Sequence, residues 1–366
     1  MAREVGMVSA SDRNVSIPFD VAKLEDVARK AGVSNATASR ALSGAGKVSD
    51  TARRRILEAA KQLSYTPNRS AQALKGGRSG MIGMVVPNLS DLFFASCVNA
   101  VEAVAMRNSS LLVVAATHDR ADRTVDAMKR LLDHRVDGLV LGCSEYLTPL
   151  LTRTLRALPV PVVGIDAPLT KAGRPSVLID NSAAAQRATE HLIANGYQRI
   201  ISVQVEPTLY TMKERQLGYE RAMRDAGLTP ETRHVPDATA AQALLRDHQD
   251  GRTRRAFLVG NELGARYMIG AAKQLSLSMP KDFAMVSFDD FELAGFLETP
   301  LTVISQPTTL IGEAAATKLF RHMLHGTAAN SDSEGELETI LEASLVIRGS
   351  SICRPSPHDS RRSTHT

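Results

Sequence analysis

The chain has 366 residues, two to three times the ~100–200 residues of one ordinary domain, so more than one domain is expected. Apolar residues supply 43% and charged residues 23%, which excludes a disordered chain; Cys97, Cys143 and Cys353 are too few and too far apart for a disulfide framework or a cysteine zinc site. The formal charge of +5 is local: residues 20–80 carry 12 Lys/Arg against 5 Asp/Glu, whereas residues 81–366 carry 30 against 32, which suggests a polyanion partner for one small segment.

Residues 1–20 mix Ser, Asp, Asn and Gly and read as a flexible leader. They lack the apolar stretch of a signal peptide, and no later run approaches the ~20 apolar residues of a membrane span, so a cytoplasmic protein without membrane contact is expected. Leu24, Val27, Ala28 and Ala31 fall on one helical face. Gly32 is suited to end that helix, because glycine enters the left-handed region freely. Ser34 can cap a second helix running through Leu42. Ser49 and Asp50 open a third, 50–63, with Ile56, Leu57, Ala60 and Leu63 inward. The chain leaves through Tyr65-Thr66-Pro67 into an Ala-rich stretch, 68–75, and a Gly/Lys/Arg linker, 76–80.

From Gly80 short β-branched runs, MIGMVVP, LLVVAA, DGLVLG and VPVVGID, alternate with helical patterns at 93–108, 120–134 and 147–157. This is the rhythm of parallel strands buried on both faces. A second set opens at SVLIDN and continues through RIISVQ, RRAFLVG and FAMVSFD, with helices near 181–195, 213–226, 239–248 and 262–276. VISQP, a helix 308–324, ETIL and SLVIRGS follow. Two α/β lobes are expected, with their boundary near 167–176 and return crossings near 291–303 and 326–341. The domain plan is therefore a leader 1–20, a helical domain 21–67, a connecting segment 68–80, a two-lobe domain 81–353, and a disordered tail 354–366. Residues 326–338 read as a loop.

Two short helices joined by Gly-Val-Ser have the size of a helix-turn-helix, and the second is narrow enough for a major groove. Its outer positions include Asn35, Ala36, Thr37, Ser39 and Arg40; Arg40 can meet guanine or phosphate, and the sequence does not separate the two. Lys47 and Arg53 to Arg55 can meet the DNA backbone. The competing reading is a small helical domain with an ordinary solvated basic face.

The progression Asp26-Val27-Ala28, Ala31-Gly32-Val33-Ser34, Thr37-Ala38-Ser39-Arg40, Val48-Ser49 and Tyr65-Thr66-Pro67-Asn68 resembles the LacI/GalR family of bacterial transcriptional regulators, and the likeness runs over about residues 23–350. The resemblance implies a helix-turn-helix headpiece joined by a hinge helix to a two-lobe, periplasmic-binding-protein-like α/β core. It implies a homodimer reading pseudo-palindromic operator DNA, most simply as a repressor, with Asn35 and Ala36 at base-reading positions and Lys23, Ser34, Thr37, Ser39, Arg40 and Lys47 around them. Asn68 to Lys75 matches the family's hinge, with Asn68, Arg69, Ala71 and Lys75 toward DNA and Leu74 as a minor-groove wedge. Such a wedge unstacks a base step and bends the duplex. Lys23 departs from the usual Thr cap, which predicts a weaker helix start or a phosphate contact. Ala38 stands where Val is common.

Open α/β sheets bind ligands beyond the carboxyl ends of their strands. Phe93, Phe94, Asp166, Asn261 and Asp289 fall at such places, and Arg215 lies near a helix start. Phe93 and Phe94 read equally as core, and Asp289 as a helix cap. The resemblance matches Phe93, Phe94, Arg215, Asn261, Asp289 and Gln306 to effector contacts. It implies a carbohydrate-like small-molecule effector: a sugar, sugar acid or sugar phosphate. Leu209 replaces a purine-binding arginine of some relatives. No catalytic frame is found: Gly142-Cys143-Ser144 is not a nucleophile elbow, and His118, His134 and His191 have no ligand spacing. No cofactor and no enzyme activity are expected. A solute-binding receptor or an enzyme on the α/β core are the alternatives.

Overall fold

The computed structural model describes residues 22–43, 47–65, 78–118, 120–143, 147–247, 255–325 and 337–352. The predicted leader, the hinge residues Asn68, Arg69, Ala71, Leu74 and Lys75, Cys353, the tail and most of the 326–338 loop lie outside them. Contacts divide the chain into two units, Met1–Gly77 and Arg78–Thr366.

The first unit is three helices: α1 (Leu24–Ala31), α2 (Asn35–Ser43) and α3 (Asp50–Gln62). Gly32 ends α1 at φ 67°, where a side chain would be strained. Ser34 Oγ accepts from Thr37 N–H at 3.2 Å, and Ser49 Oγ accepts from Ala52 N–H at 3.4 Å, so α2 and α3 both start on a serine cap. The start of α1 is held differently from the expectation. Lys23 offers no acceptor, but the Asp26 carboxylate accepts from Lys23 N–H at 2.9 Å. That bond, followed by the Arg29 side chain, holds the Asp26 carboxyl below the usual carboxylate range. The helix start is thus tied by its third residue, half of a capping box.

The core of this unit is Val27, Ala28, Ala31, Ala38, Ala41, Ile56, Ala59 and Ala60. Leu57, predicted inward, is 51% exposed. The α3 stripe runs through Ile56, Ala59 and Ala60, so Leu57 sits one step round the helix from it.

The second unit holds two six-stranded sheets. The first, ordered β11-β5-β4-β3-β1-β2, is parallel throughout and is made of β1 (Met81–Val86), β2 (Leu111–Ala116), β3 (Leu139–Gly142), β4 (Val162–Ile165), β5 (Ser176–Ile179) and β11 (Glu338–Leu341). The second, β12-β10-β9-β8-β6-β7, uses β6 (Arg199–Gln204), β7 (Glu231–His234), β8 (Arg255–Val259), β9 (Ala284–Phe288), β10 (Thr302–Ser305) and an antiparallel β12 (Ser344–Val346). Helices α4 (Leu92–Arg107), α5 (Ala121–Asp133) and α6 (Pro149–Ala157) serve the first lobe. Helices α7 (Asn181–Ala194), α8 (Tyr210–Asp225), α9 (Ala238–Asp247) and α10 (Glu262–Gln274) serve the second. Helix α11 (Thr308–His325) returns to the first lobe and packs on α4, where Gly312 lies against Cys97: an added Cβ would stand 2.7 Å from the Cys97 carbonyl oxygen.

The crossings correct the sequence reading. SVLI was expected to open the second lobe; as β5 it pairs with β4 and completes the first sheet, so the chain crosses at 180–181 rather than 167–176. The return falls at 306–307, between β10 and α11, rather than 291–303. The last falls at 342–343, just past the expected 326–341. The chain enters the core at Arg78, whose guanidinium bonds the Met323 carbonyl, while Asp137 accepts from Ser79 N–H at 2.9 Å and Gly80 N–H at 2.8 Å.

Candidate DNA-reading surface and ligand cleft

In the first unit, Asn35 and Ala36 open α2 and both are exposed, as are Lys23, Ser34, Arg40 and Lys47; Thr37 and Ser39 are half-buried. Thr37 also meets Ser34 through its hydroxyl at 2.9 Å, so it serves the helix start as well as the outer face. Ala38, at 0% exposure, fills the α2 side of the core, where its small side chain lets α1 and α3 approach. The first turn of α2 is therefore presented outward by a serine cap and an alanine seam, on a unit rich in Lys and Arg. That is the form of a groove-reading helix.

In the second unit, loops after β1, β6, β8 and β9 border a cavity of about 230 Å³ lined by Pro87, Asn88, Ser90, Asp91, Phe94, Glu206, Leu209, Asn261, Glu262, Leu263, Arg266 and Asp289. It lies at the carboxyl ends of strands from both sheets, where open α/β sheets hold ligands. Phe94 supplies an aromatic wall, 3% exposed overall and edge-on to Phe93 at 5.0 Å. Gly142 makes room for it: a Cβ there would stand 2.8 Å from the Phe94 ring.

The predicted effector residues separate into two groups. Phe94, Asn261 and Asp289 line the cavity; Phe93, Asp166, Arg215 and Gln306 do not. Phe93 packs into the main core. Asn261 also caps α10, its Oδ1 accepting from Gly264 N–H at 2.9 Å. Asp289, at φ 71°, accepts from Gln306 Nε2 at 2.6 Å and from Glu262 N–H at 3.2 Å. Gln306 sits on the second crossing, so one carboxylate joins the crossing, the end of β9 and the start of α10. Asp166, at φ 74°, ends β4.

Arg215 is 6% exposed. Its Nε donates to Asn181 Oδ1 at 2.8 Å, Nη1 donates to the Gly260 carbonyl, and the guanidinium lies 3.9 Å over the Phe288 ring. Burial pulls its pKa down, opposed by the charges of Asp289, Asp166 and Asp91. It ties the first helix of the second lobe to the ends of β8 and β9.

Sequence reasoning passed over Asp91, Glu206, Glu262 and Arg266. Asp91 caps α4 by accepting from Phe93 N–H at 2.9 Å, and a cap has the same sequence signature whether or not a ligand uses its other oxygen. Asp91 is exposed by surface area, although protein atoms crowd around its carboxyl. Burial, then the neighbouring charges of Asp289 and Glu262, pushes its carboxyl up to about 6. Glu262 is also raised, by burial, with Arg266 opposing and Asp289 adding. Among the described residues no group of His, Cys, Asp and Glu is disposed to hold a metal ion, and no helix is long and apolar enough to cross a membrane.

Residues 23–68 match the family model of bacterial regulatory proteins of the lacI family, and residues 79–342 match that of periplasmic binding proteins and the sugar binding domain of the LacI family. The chain belongs to the LacI family. It is a DNA-binding transcriptional regulator whose activity is modulated by a small ligand bound in the two-lobe core. It is 31% identical over 340 residues to the HTH-type transcriptional repressor PurR of Aliivibrio fischeri, covering 90% of this chain and 99% of that protein. It is 28% identical over 315 residues to catabolite control protein A of Priestia megaterium, covering 84% and 94%. A lac repressor dimer bound to operator and the anti-inducer ONPF superposes with a TM-score of 0.78 at 24% identity, over 91% of this chain and all of that one. A transcriptional regulator CelR–cellobiose complex superposes at 0.63 with 26% identity, over 90% and 99%.

Proposed function

We propose that this regulator represses transcription as a homodimer, with residues 21–67 of each copy reading one half of a pseudo-palindromic operator and residues 68–80 acting as the hinge to the core, 81–353. The observation that carries this is the exposed, serine-capped start of α2 beside Lys23, Arg40 and Lys47, on a chain whose other unit holds a ligand-sized cleft. Asn35 reads a base edge; Ala36 offers only a methyl contact, so that position selects by shape or by a thymine methyl. Lys23, Lys47, Asn68, Arg69, Ala71 and Lys75 meet the phosphate backbone, and Leu74 is the wedge. Leu111 on the edge strand β2 is 63% exposed and nearby Met106, late in α4, is 66% exposed, an apolar edge of the kind that a second copy covers.

The effector is carbohydrate-like. A cavity of about 230 Å³ is below the roughly 300–1,000 Å³ of drug-sized sites, which suits a monosaccharide-sized ligand with its apolar face on Phe94 and its hydroxyls on Asn88, Asn261 and Asp289. Leu209 in the wall gives a planar nitrogenous base no donor. Selection from a pool of random duplexes tests the DNA reading: a two-fold symmetric consensus is expected, and an unselected pool would contradict it. With that consensus in hand, Asn35→Ala is expected to remove about 1–3 kcal/mol of discrimination at one base pair per half-site. Lys47→Ala is expected instead to weaken all sequences alike and to lower the salt slope by about 1. Quantitative gel-shift titrations across salt separate the two.

A further inference from the structure

The charge of the cavity wall says which kind of ligand it takes. Among the described residues, four carboxylates border it, Asp91, Glu206, Glu262 and Asp289, against a single guanidinium, Arg266. Arg266 is already engaged, its Nε 3.6 Å from Glu262 Oε1. Arg215 is not among the residues that line the cavity; its Nε donates to Asn181 and its Nη1 to the Gly260 carbonyl. The acids differ in what they have left to offer. Asp289 has one oxygen on Gln306 and the other on Glu262 N–H. Asp91 uses Oδ1 for the α4 cap and borders the cavity. The charged groups close enough to act on Asp91 are Asp289 at the end of β9, Glu262 on α10 and Arg215 on α8, two negative and one positive.

We infer that the ligand of this cleft is a small polyhydroxylated cation, an amino sugar or a compound of the same chemistry, whose ammonium sits against Asp91 and Glu262 while its apolar face lies on Phe94. This rests on the reading of the cleft as the effector site. A sugar acid or sugar phosphate adds negative charge to a wall that already carries an excess of it, and meets like-charge repulsion. A neutral sugar satisfies the hydroxyl contacts but leaves the acids uncompensated. An ammonium satisfies both. Because the raised carboxyl of Asp91 must be ionised to receive it, binding of the cation carries a proton linkage that binding of a neutral sugar lacks.

The test is calorimetric titration of the full chain with glucosamine, galactosamine and mannosamine, each beside its parent hexose and the corresponding hexonic acid, at pH 7.5 and 5.5. At pH 7.5 one amine is expected to bind about tenfold tighter than its parent hexose, with the acid weakest. That preference is expected to shrink at pH 5.5, below the point near 6 at which Asp91 protonates. Asp91→Asn keeps an acceptor for Phe93 N–H, so it preserves the cap. It is expected to abolish the preference and its pH dependence. A hexose or hexonic acid binding as tightly as its amine would overturn the charge inference and leave the carbohydrate effector standing. Binding by no member of the panel at millimolar concentration would reject the carbohydrate effector, and this inference with it.

Discussion

Gly218→Ala is expected to destabilise the core by about 3 kcal/mol or more, the upper end of the usual cost of overpacking. Gly218 lies on α8 where it crosses α7, and a Cβ there would stand 1.9 Å from the Ser182 carbonyl oxygen and 3.0 Å from Gln186 N. Both obstacles are backbone, so no rotamer change relieves them; the helices must part. The two helices form the most closely packed helix pair of the core, with Tyr219 and Met223 of α8 and Ala184, Ala185 and Ala188 of α7 buried in the same cluster. For a unit of this size, ~2–4 °C of Tm follows each kcal/mol, giving a fall of roughly 6–12 °C or more. Thermal unfolding of the variant checks this. An unchanged Tm would mean that α7 and α8 separate at no cost, contrary to their close packing.

Ile56→Ala is expected to abolish operator binding while leaving ligand binding intact. Among the described residues, Val27 and Ile56 are the only large side chains in the fully buried part of the headpiece core; the rest is alanine. Removing Ile56 down to its Cβ costs about 2–5 kcal/mol. A domain of about 45 residues has a total stability of only roughly 2–7 kcal/mol at ~0.05–0.15 kcal/mol per residue. The loss is comparable to everything the headpiece has, so most molecules unfold there. The core is a separate unit, so its Tm and its affinity for the ligand should not move. The variant is checked by operator titration and calorimetry on the same sample. Retained operator affinity would show that the headpiece core is not limited by this side chain.

Much of this was legible in the sequence, and the reasons differ by element. The headpiece is short, and its turn residues, Gly32, Ser34 and Ser49, do the same work in the fold that their chemistry predicts. Buried strands such as β1 and β9 announce themselves as unbroken apolar runs. The lobe crossings were misplaced because β5, SVLI, is apolar and buried in the same way as strands of either sheet, so nothing local says which sheet it joins. Strand β7, ETRH, escaped notice because an edge strand with a charged, exposed face lacks the apolar signal. Leu57 misled because hydrophobicity alone does not give the phase of a helix face. In the cleft, Phe94, Asn261 and Asp289 were found from strand ends, while Asp91 and Glu262 were hidden in helix starts, where acidic residues are ordinary. Arg215 and Gln306 bond Asn181 and Asp289, ties between distant segments that no local sequence pattern announces.

That one chain couples DNA to a small ligand is tested most directly by operator affinity with and without that ligand. Fluorescence anisotropy on the selected palindrome, with the full chain and a saturating amount of the tightest-binding hexosamine, should show a change of at least about fivefold, the lower end of ordinary allosteric coupling. The ligand's own affinity must then change by the same factor when operator is bound. Operator affinity that is indifferent to a ligand demonstrably bound in the cleft would contradict the account.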